Sequence, residues 1–242
     1  DNSLFTRLEV WCSKGRFGWC LDNPENLFNP DEFYRIGFDV TDLLKPNYRP
    51  TEPILACLFF LKDMMLERVA KEQGVLFVPV EEFWLPAKYP MTQNFITKSL
   101  KTGRKLGEVM LLISQSPKDA INSPIFDTVV EQTVTKVLLP NPDAEFEGSY
   151  ERCGLTYKEF VELKQMAPDS RMFMVKQNRK SSLAKLDLYG FSDEMAVLSG
   201  NAANVHIMHQ AMAACRSEHP DDWLPVFQQM RREAKQQKLQ SH

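Results

Sequence analysis

Glu81-Glu82-Phe83-Trp84 follows directly on the apolar run Val75-Leu76-Phe77-Val78-Pro79-Val80. An apolar strand that delivers adjacent carboxylates at its end suits the hydrolysis of a nucleoside triphosphate. One acid supports the water shell of a magnesium ion and the next polarises the attacking water. A strand that merely ends in solvated acids has the same pattern, so the pair needs company. Gln115-Ser116-Pro117 closes a second apolar run, Val109 to Ser114, and a neutral amide there can sense a γ-phosphate or orient a water without adding charge. Gln132 and Lys136 flank the start of a third run that stops at Pro140-Asn141-Pro142. Between the first two runs lies the basic stretch Lys101-Thr102-Gly103-Arg104-Lys105. Arg104 is a candidate for neutralising transition-state charge on a neighbouring subunit's phosphate, with Arg171 and Arg179 as rivals. The plainer reading of the same stretch is a solvated basic face that suits a helix C-terminus.

The elements that must hold these residues alternate in type. Strands are expected at Phe17–Leu21, Tyr34–Val40, Val75–Val80, Glu108–Ser114 and Thr135–Leu139. A helix opening near Pro53 carries Ile54, Leu55, Leu58, Phe59, Leu61, Met65 and Val69 on a wide apolar face and stops at Gly74. Further helices are expected over Met91–Lys105, with Phe95, Ile96 and Leu100 inward, and over Ile125–Gln132. Thr156-x-x-Glu159 is a capping box that opens a helix running to Met166. Arg171–Val175 and Leu183–Leu188 suggest a hairpin. Two helices close the chain, the last with Trp223, Val226, Phe227 and Met230 on one stripe. Strands apolar on both faces, alternating with amphipathic helices, predict an α/β fold with a mostly parallel sheet covered by helices on both faces. In such sheets chemistry sits beyond the carboxyl ends of the strands, where the acid pair and Gln115 fall.

Composition agrees with a folded domain. The chain has 242 residues, 43% of them hydrophobic and 25% charged, which excludes a disordered polymer. The net charge of −3, from 29 basic and 32 acidic residues, gives no general field for nucleic acid. The longest apolar run, Ile54–Leu61, is far shorter than the ~20 residues of a membrane span. Five cysteines without a CxxC pair read as reduced thiols. The sequence starts at Asp1 without an initiator Met, and no GxxxxGK[ST] phosphate loop occurs in it. The expectation is a piece of a longer protein, with the phosphate loop upstream.

The order of the motifs resembles the C-terminal half of the CagE/TrbE/VirB-type ATPases of type IV secretion and conjugation systems. The matching stretches are Trp11–Phe28, Phe38-Asp39, Val75–Trp84, Leu100–Gly107, Ser114–Pro117, Gln132–Pro142, Ala196–Gly200 and Trp223-Leu224-Pro225. The resemblance covers nearly the whole chain. It implies a RecA-like P-loop core over 1–200, without its phosphate loop, and a helical appendage over 201–242. It implies ATP and Mg²⁺ as ligands, and a motor that powers pilus assembly and export of protein or DNA. Such a motor is cytoplasmic, peripheral at the bacterial inner membrane, a hexamer or dimer, and partnered by other secretion components. By position, Glu81 falls where the family usually has its Walker B aspartate and would hold magnesium through water. Glu82 falls on the catalytic glutamate, Gln115 on the sensor glutamine, and Arg104 in the basic motif proposed to act between subunits. Gln132 joins Glu81 and Gln115 among the nucleotide-binding candidates. Glu81 is one methylene longer than the usual Asp, and Pro79 removes a backbone donor, so local distortion is expected.

Two readings from other classes stand beside this one: a docking module with weak catalysis, and a DNA-pumping motor of the same broad fold. His206, His209, Cys215 and His219 have the residue types of a zinc site. On one continuous helix, however, the first two point away from the last two. The basic segment Arg231–Lys238 suits a solvated helix end.

Overall fold

The structure, a computed structural model, describes residues 3–25 and 28–240. Asn26 and Leu27, inside the Trp11–Phe28 stretch, lie outside the described residues, as does the side chain of Lys238. The chain forms two compact units, Asp1–Ala184 and Lys185–His242. The first carries α1 (Leu4–Glu9), α2 (Gly18–Leu21), α3 (Thr51–Lys71), β1 (Leu76–Val80), α4 (Pro90–Thr102), β2 (Glu108–Leu112), α5 (Pro117–Ile121) and α6 (Phe126–Gln132). It continues with β3 (Thr135–Leu138), α7 (Tyr157–Gln165), β4 (Met172–Gln177) and β5 (Lys180–Lys185). The second unit holds α8 (Ser192–Leu198), α9 (Ala202–Cys215) and α10 (Pro220–Gln240).

The fold is mixed α/β, but its strands form two sheets instead of one mostly parallel sheet. β1 and β2 pair in parallel, whereas β3, β4 and β5 make a separate three-stranded sheet in which β3 and β4 run antiparallel. Connection length explains the difference. The 27 residues from Glu81 to Gly107 include α4, enough for a parallel crossover, whereas β4 and β5 are joined by the turn Asn178-Arg179. Phe17–Leu21 is not a strand but a compact turn ending in α2. The Phe17 N–H donates to the Val10 carbonyl at 2.8 Å, and the Ser13 N–H to the Asp22 carboxylate at 2.6 Å. Tyr34–Val40 forms no ladder either. The hairpin is present, with its second strand at Lys180–Lys185, earlier than expected.

One face of the β1–β2 pair is buried against helices. Val80, Met110 and Leu112 pack on Phe83, Ile96, Ile125 and Val129, joined by Phe59 of α3 and Leu100 of α4. The other face is apolar yet exposed: Phe77 is 58% accessible, Val109 48% and Leu111 42%. Helices on both faces were expected; among the described residues only one face is covered. Pro79 does not distort the pair. Leu76 donates to the Gly107 carbonyl and the Val80 carbonyl accepts from Ile113, both at 3.0 Å. Even-numbered residues of β1 therefore face β2, and the missing N–H of Pro79 lies on the other edge.

A second core, built on Tyr150, Leu155, Phe160, Leu163 and Met174, lies under the antiparallel sheet. Its α7 starts with the expected capping box, in which Thr156 and Glu159 exchange bonds. The Glu159 carboxylate also takes the buried Lys176 ammonium at 2.7 and 2.8 Å. Burial works to raise the Glu159 pKa, but Lys176 and the donors at Thr156 outweigh it and hold it down to about 2. In the second unit, Ala196, Ala211, Trp223 and Phe227 are buried together, which puts the expected Trp223–Phe227 stripe inward.

Candidate functional site

The carboxyl end of the parallel pair gathers three of the expected residues. The register Val80↔Leu112 sets the two strand ends level. After β1 the chain turns across the end of β2, with the Phe83 N–H donating to the Ile113 carbonyl at 3.3 Å. Phe83 is 3% exposed and anchors that turn in the core. Glu81 and Glu82 thus stand beside the segment Ser114-Gln115, which leaves β2 at the same edge. Glu81 and Gln115 are exposed and Glu82 is half-buried. Ser114 and Ser116 tie the second turn together, and Ser116 Oγ accepts from the Lys118 N–H to cap α5.

Glu82 is the strained point of this edge. Its φ of 45° lies in the left-handed region, which a residue with a Cβ adopts at a cost of roughly 1–3 kcal/mol. Its backbone carbonyl accepts from the Leu85 N–H at 2.8 Å, closing a tight turn. Its carboxylate accepts from the Trp84 indole N–H at 2.7 Å. The Lys88 ammonium lies 4.4 Å from the centroid of the same indole. The sequence stretch contained Trp84, but nothing in residue spacing announced that it would hold Glu82.

The other candidates lie elsewhere. Arg104 is exposed on the short 3-10 turn Gly103–Leu106, just before β2, so it sits at the amino end of the parallel pair. The length of β2, roughly 16 Å of strand, separates that end from the acids. Gln132 is exposed at the last position of α6, on the way into the antiparallel sheet. Lys136 donates to the carbonyls of Val130 and Thr133 at 3.4 and 3.0 Å, satisfying the end of α6, and burial lowers its pKa. Arg171 and Arg179 are exposed at the two ends of β4. His206, His209 and Cys215 lie on α9, which ends at Cys215, and His219 follows it.

The amino end holds a network that no local pattern signalled. Lys62 of α3 reaches Ser99 at 2.7 Å, Glu108 at 2.9 Å and Asp63 at 2.5 Å. Lys98 adds a bond to Asp63 at 2.8 Å. Burial pushes the Asp63 pKa up, but the two lysines outweigh it and hold it below its ordinary value, while Asp63 raises that of Lys98. The Glu108 side chain is 1% exposed, and its Oε2 has no hydrogen-bond partner among the described residues. Gly103 leaves room for it: a Cβ there would stand 2.3 Å from that oxygen.

The residues present suit magnesium carried by a polyphosphate. The carboxyl edge offers hard carboxylate oxygens, and Mg²⁺ usually takes one or two of these with waters and phosphates. Among the described residues no group of three or more His, Cys, Asp or Glu could hold an ion without such help. No helix among them is long and apolar enough to cross a membrane.

No family model matches the chain. Curated relatives do. The type IV secretion system protein VirB4 of Bartonella henselae is 35% identical over 226 residues, 93% of this chain and 28% of that protein. VirB4 of Brucella abortus is 31% identical over 239 residues, covering 96% of this chain and 28% of its own length. The type IV secretion system protein PtlC of Bordetella pertussis is 32% identical over 240 residues, covering 97% of this chain and 28% of its own length. The chain thus spans about 28% of the length of the curated relatives it matches. Over nearly its whole length, this chain is a homologue of one segment of the VirB4 and PtlC type IV secretion proteins.

Proposed function

We propose that this chain is the acid-bearing part of a RecA-like ATPase motor that energises type IV secretion. The observation that supports the reading is that Glu81-Glu82 and Gln115 follow the level carboxyl ends of a parallel strand pair. That edge is where α/β folds conduct chemistry. Glu82 takes the proton of the attacking water, and Gln115 contacts the γ-phosphate or orients that water. Glu81 supports the water shell of Mg²⁺, which when bound would neutralise charge on the phosphates. Gln132 is a further nucleotide contact. Arg104, at the opposite end, serves a neighbouring subunit, a role its exposed turn permits. The β-phosphate cradle comes from sequence outside these 242 residues, because no GxxxxGK[ST] occurs here. In the longer protein the motor is a hexamer or dimer, is held at the inner membrane by other secretion components, and drives pilus assembly and substrate export.

The test is steady-state ATP hydrolysis by the longer protein that carries this chain, by its Glu82→Gln variant, and by the 242-residue chain alone. Turnover by the first alone supports the reading. Turnover unchanged by Glu82→Gln removes Glu82 as the base. No turnover in any folded sample with magnesium present favours a docking module of the secretion machine instead.

A further inference from the structure

Trp84 is placed to govern Glu82, and we infer that it is the positioning residue for that carboxylate. The inference rests on the reading of Glu82 as the base. Three observations converge on it. First, the backbone at Glu82 is left-handed, a conformation that a residue with a Cβ does not favour. Second, the indole N–H meets the carboxylate at 2.7 Å, a charge-assisted bond that fixes one oxygen and leaves the other for a water. Third, the Lys88 ammonium sits 4.4 Å from the indole centroid. A cation there draws density from the ring and strengthens its N–H as a donor toward the acid at the ring edge. Phe83, buried between the two residues in sequence, anchors the turn in the core.

The device has a chemical purpose. A base that must take a proton in one direction gains from losing its rotamer freedom before substrate arrives. An indole can do this without competing for the proton, because it is a donor only. Trp84 therefore acts through Glu82 and not on nucleotide, and its removal lowers kcat while leaving the KM for ATP near its original value.

The experiment uses the longer protein and a double-mutant cycle. Trp84→Phe keeps an aromatic ring for Lys88 but deletes the N–H. The expected loss in kcat is about 10–100-fold, the usual range for an outer partner of a reacting group. In a Glu82→Gln background, followed by single-turnover kinetics, the same substitution should add less than about twofold. Lys88→Met should cost about two- to fivefold in kcat, the range a surface cation–π contact allows. An unchanged or raised kcat for Trp84→Phe overturns the inference, as does an equal loss in both backgrounds. A second measurement is independent of turnover. With 5-fluorotryptophan incorporated, the Trp84 resonance, assigned by its absence in Trp84→Phe, should shift on Glu82→Gln. A stationary resonance overturns the inference. If Glu82→Gln leaves turnover intact, the ATPase assignment of Glu82 has failed, and a resonance that moves in that same variant still reports the Glu82–Trp84 bond.

Discussion

The two ends of the β1–β2 pair are built on opposite plans. At the carboxyl end, acids stand at or near the surface and one residue is held in a strained backbone conformation. At the amino end, Lys62, Ser99 and Glu108 are joined in a largely buried network that ties α3, α4 and β2 together. The sheet is thus fastened at one end and left available at the other. Charge at the fastened end is paired and desolvated, which rewards correct assembly and punishes the loss of one partner. Charge at the free end stays open to ligand and solvent, which is where a changeable contact must lie.

This contrast breaks first if the carboxyl end proves structural. Glu82→Gln should lower ATP turnover of the longer protein by about 10²–10⁴-fold while leaving its urea midpoint where it was. A fall in the midpoint with intact turnover would reverse the assignment of the two ends. Lys62→Met should act in the other currency: it strands the Glu108 carboxylate and destabilises by about 3–5 kcal/mol, read from urea unfolding. Gly103→Ala sharpens the same point on a smaller scale. Its Cβ would press on Glu108 Oε2, and crowding of this kind costs about 1–3 kcal/mol, visible as a lower Tm.

A pH dependence follows from the paired carboxylates. Asp63 is held below its ordinary pKa of 3.8, so its contribution is complete above that value and is lost as pH falls through the folded pKa. Glu159, in the other core, behaves likewise: stability is full above 4.5 and declines as pH falls toward about 2. Acid titration of unfolding free energy should therefore show a loss below about pH 4.5 that Glu159→Gln reduces. An acid limb unchanged by that substitution would remove Glu159 from the account.

Much of this arrangement was legible in sequence. The run Val75–Val80 reads as a strand because all its residues but Pro79 are β-branched, aromatic or aliphatic, and Glu81-Glu82 marks its end. The capping box at Thr156 and Glu159 is a contact over three residues and is visible as such. Phe17–Leu21 misled because Phe17 serves a folded-back turn, its ring tilted against Trp11 with centroids 5.0 Å apart, not a ladder. The exposed outer face of β1–β2 was also hidden, since an apolar run says that burial is wanted without saying what supplies it.

Sequence by itself determined the acid pair at a strand end, the glutamine after the next strand, the helices with strong apolar periodicity and the kinship with secretion proteins. These depend on residue type and short spacing, which act locally. Tertiary structure alone decided that Arg104 stands at the far end from Glu82, that β3 joins an antiparallel sheet, and that Lys62 meets Ser99 and Glu108. Those partners lie 37 and 46 residues apart in sequence, so only packing of α3, α4 and β2 on one core brings them within hydrogen-bonding distance.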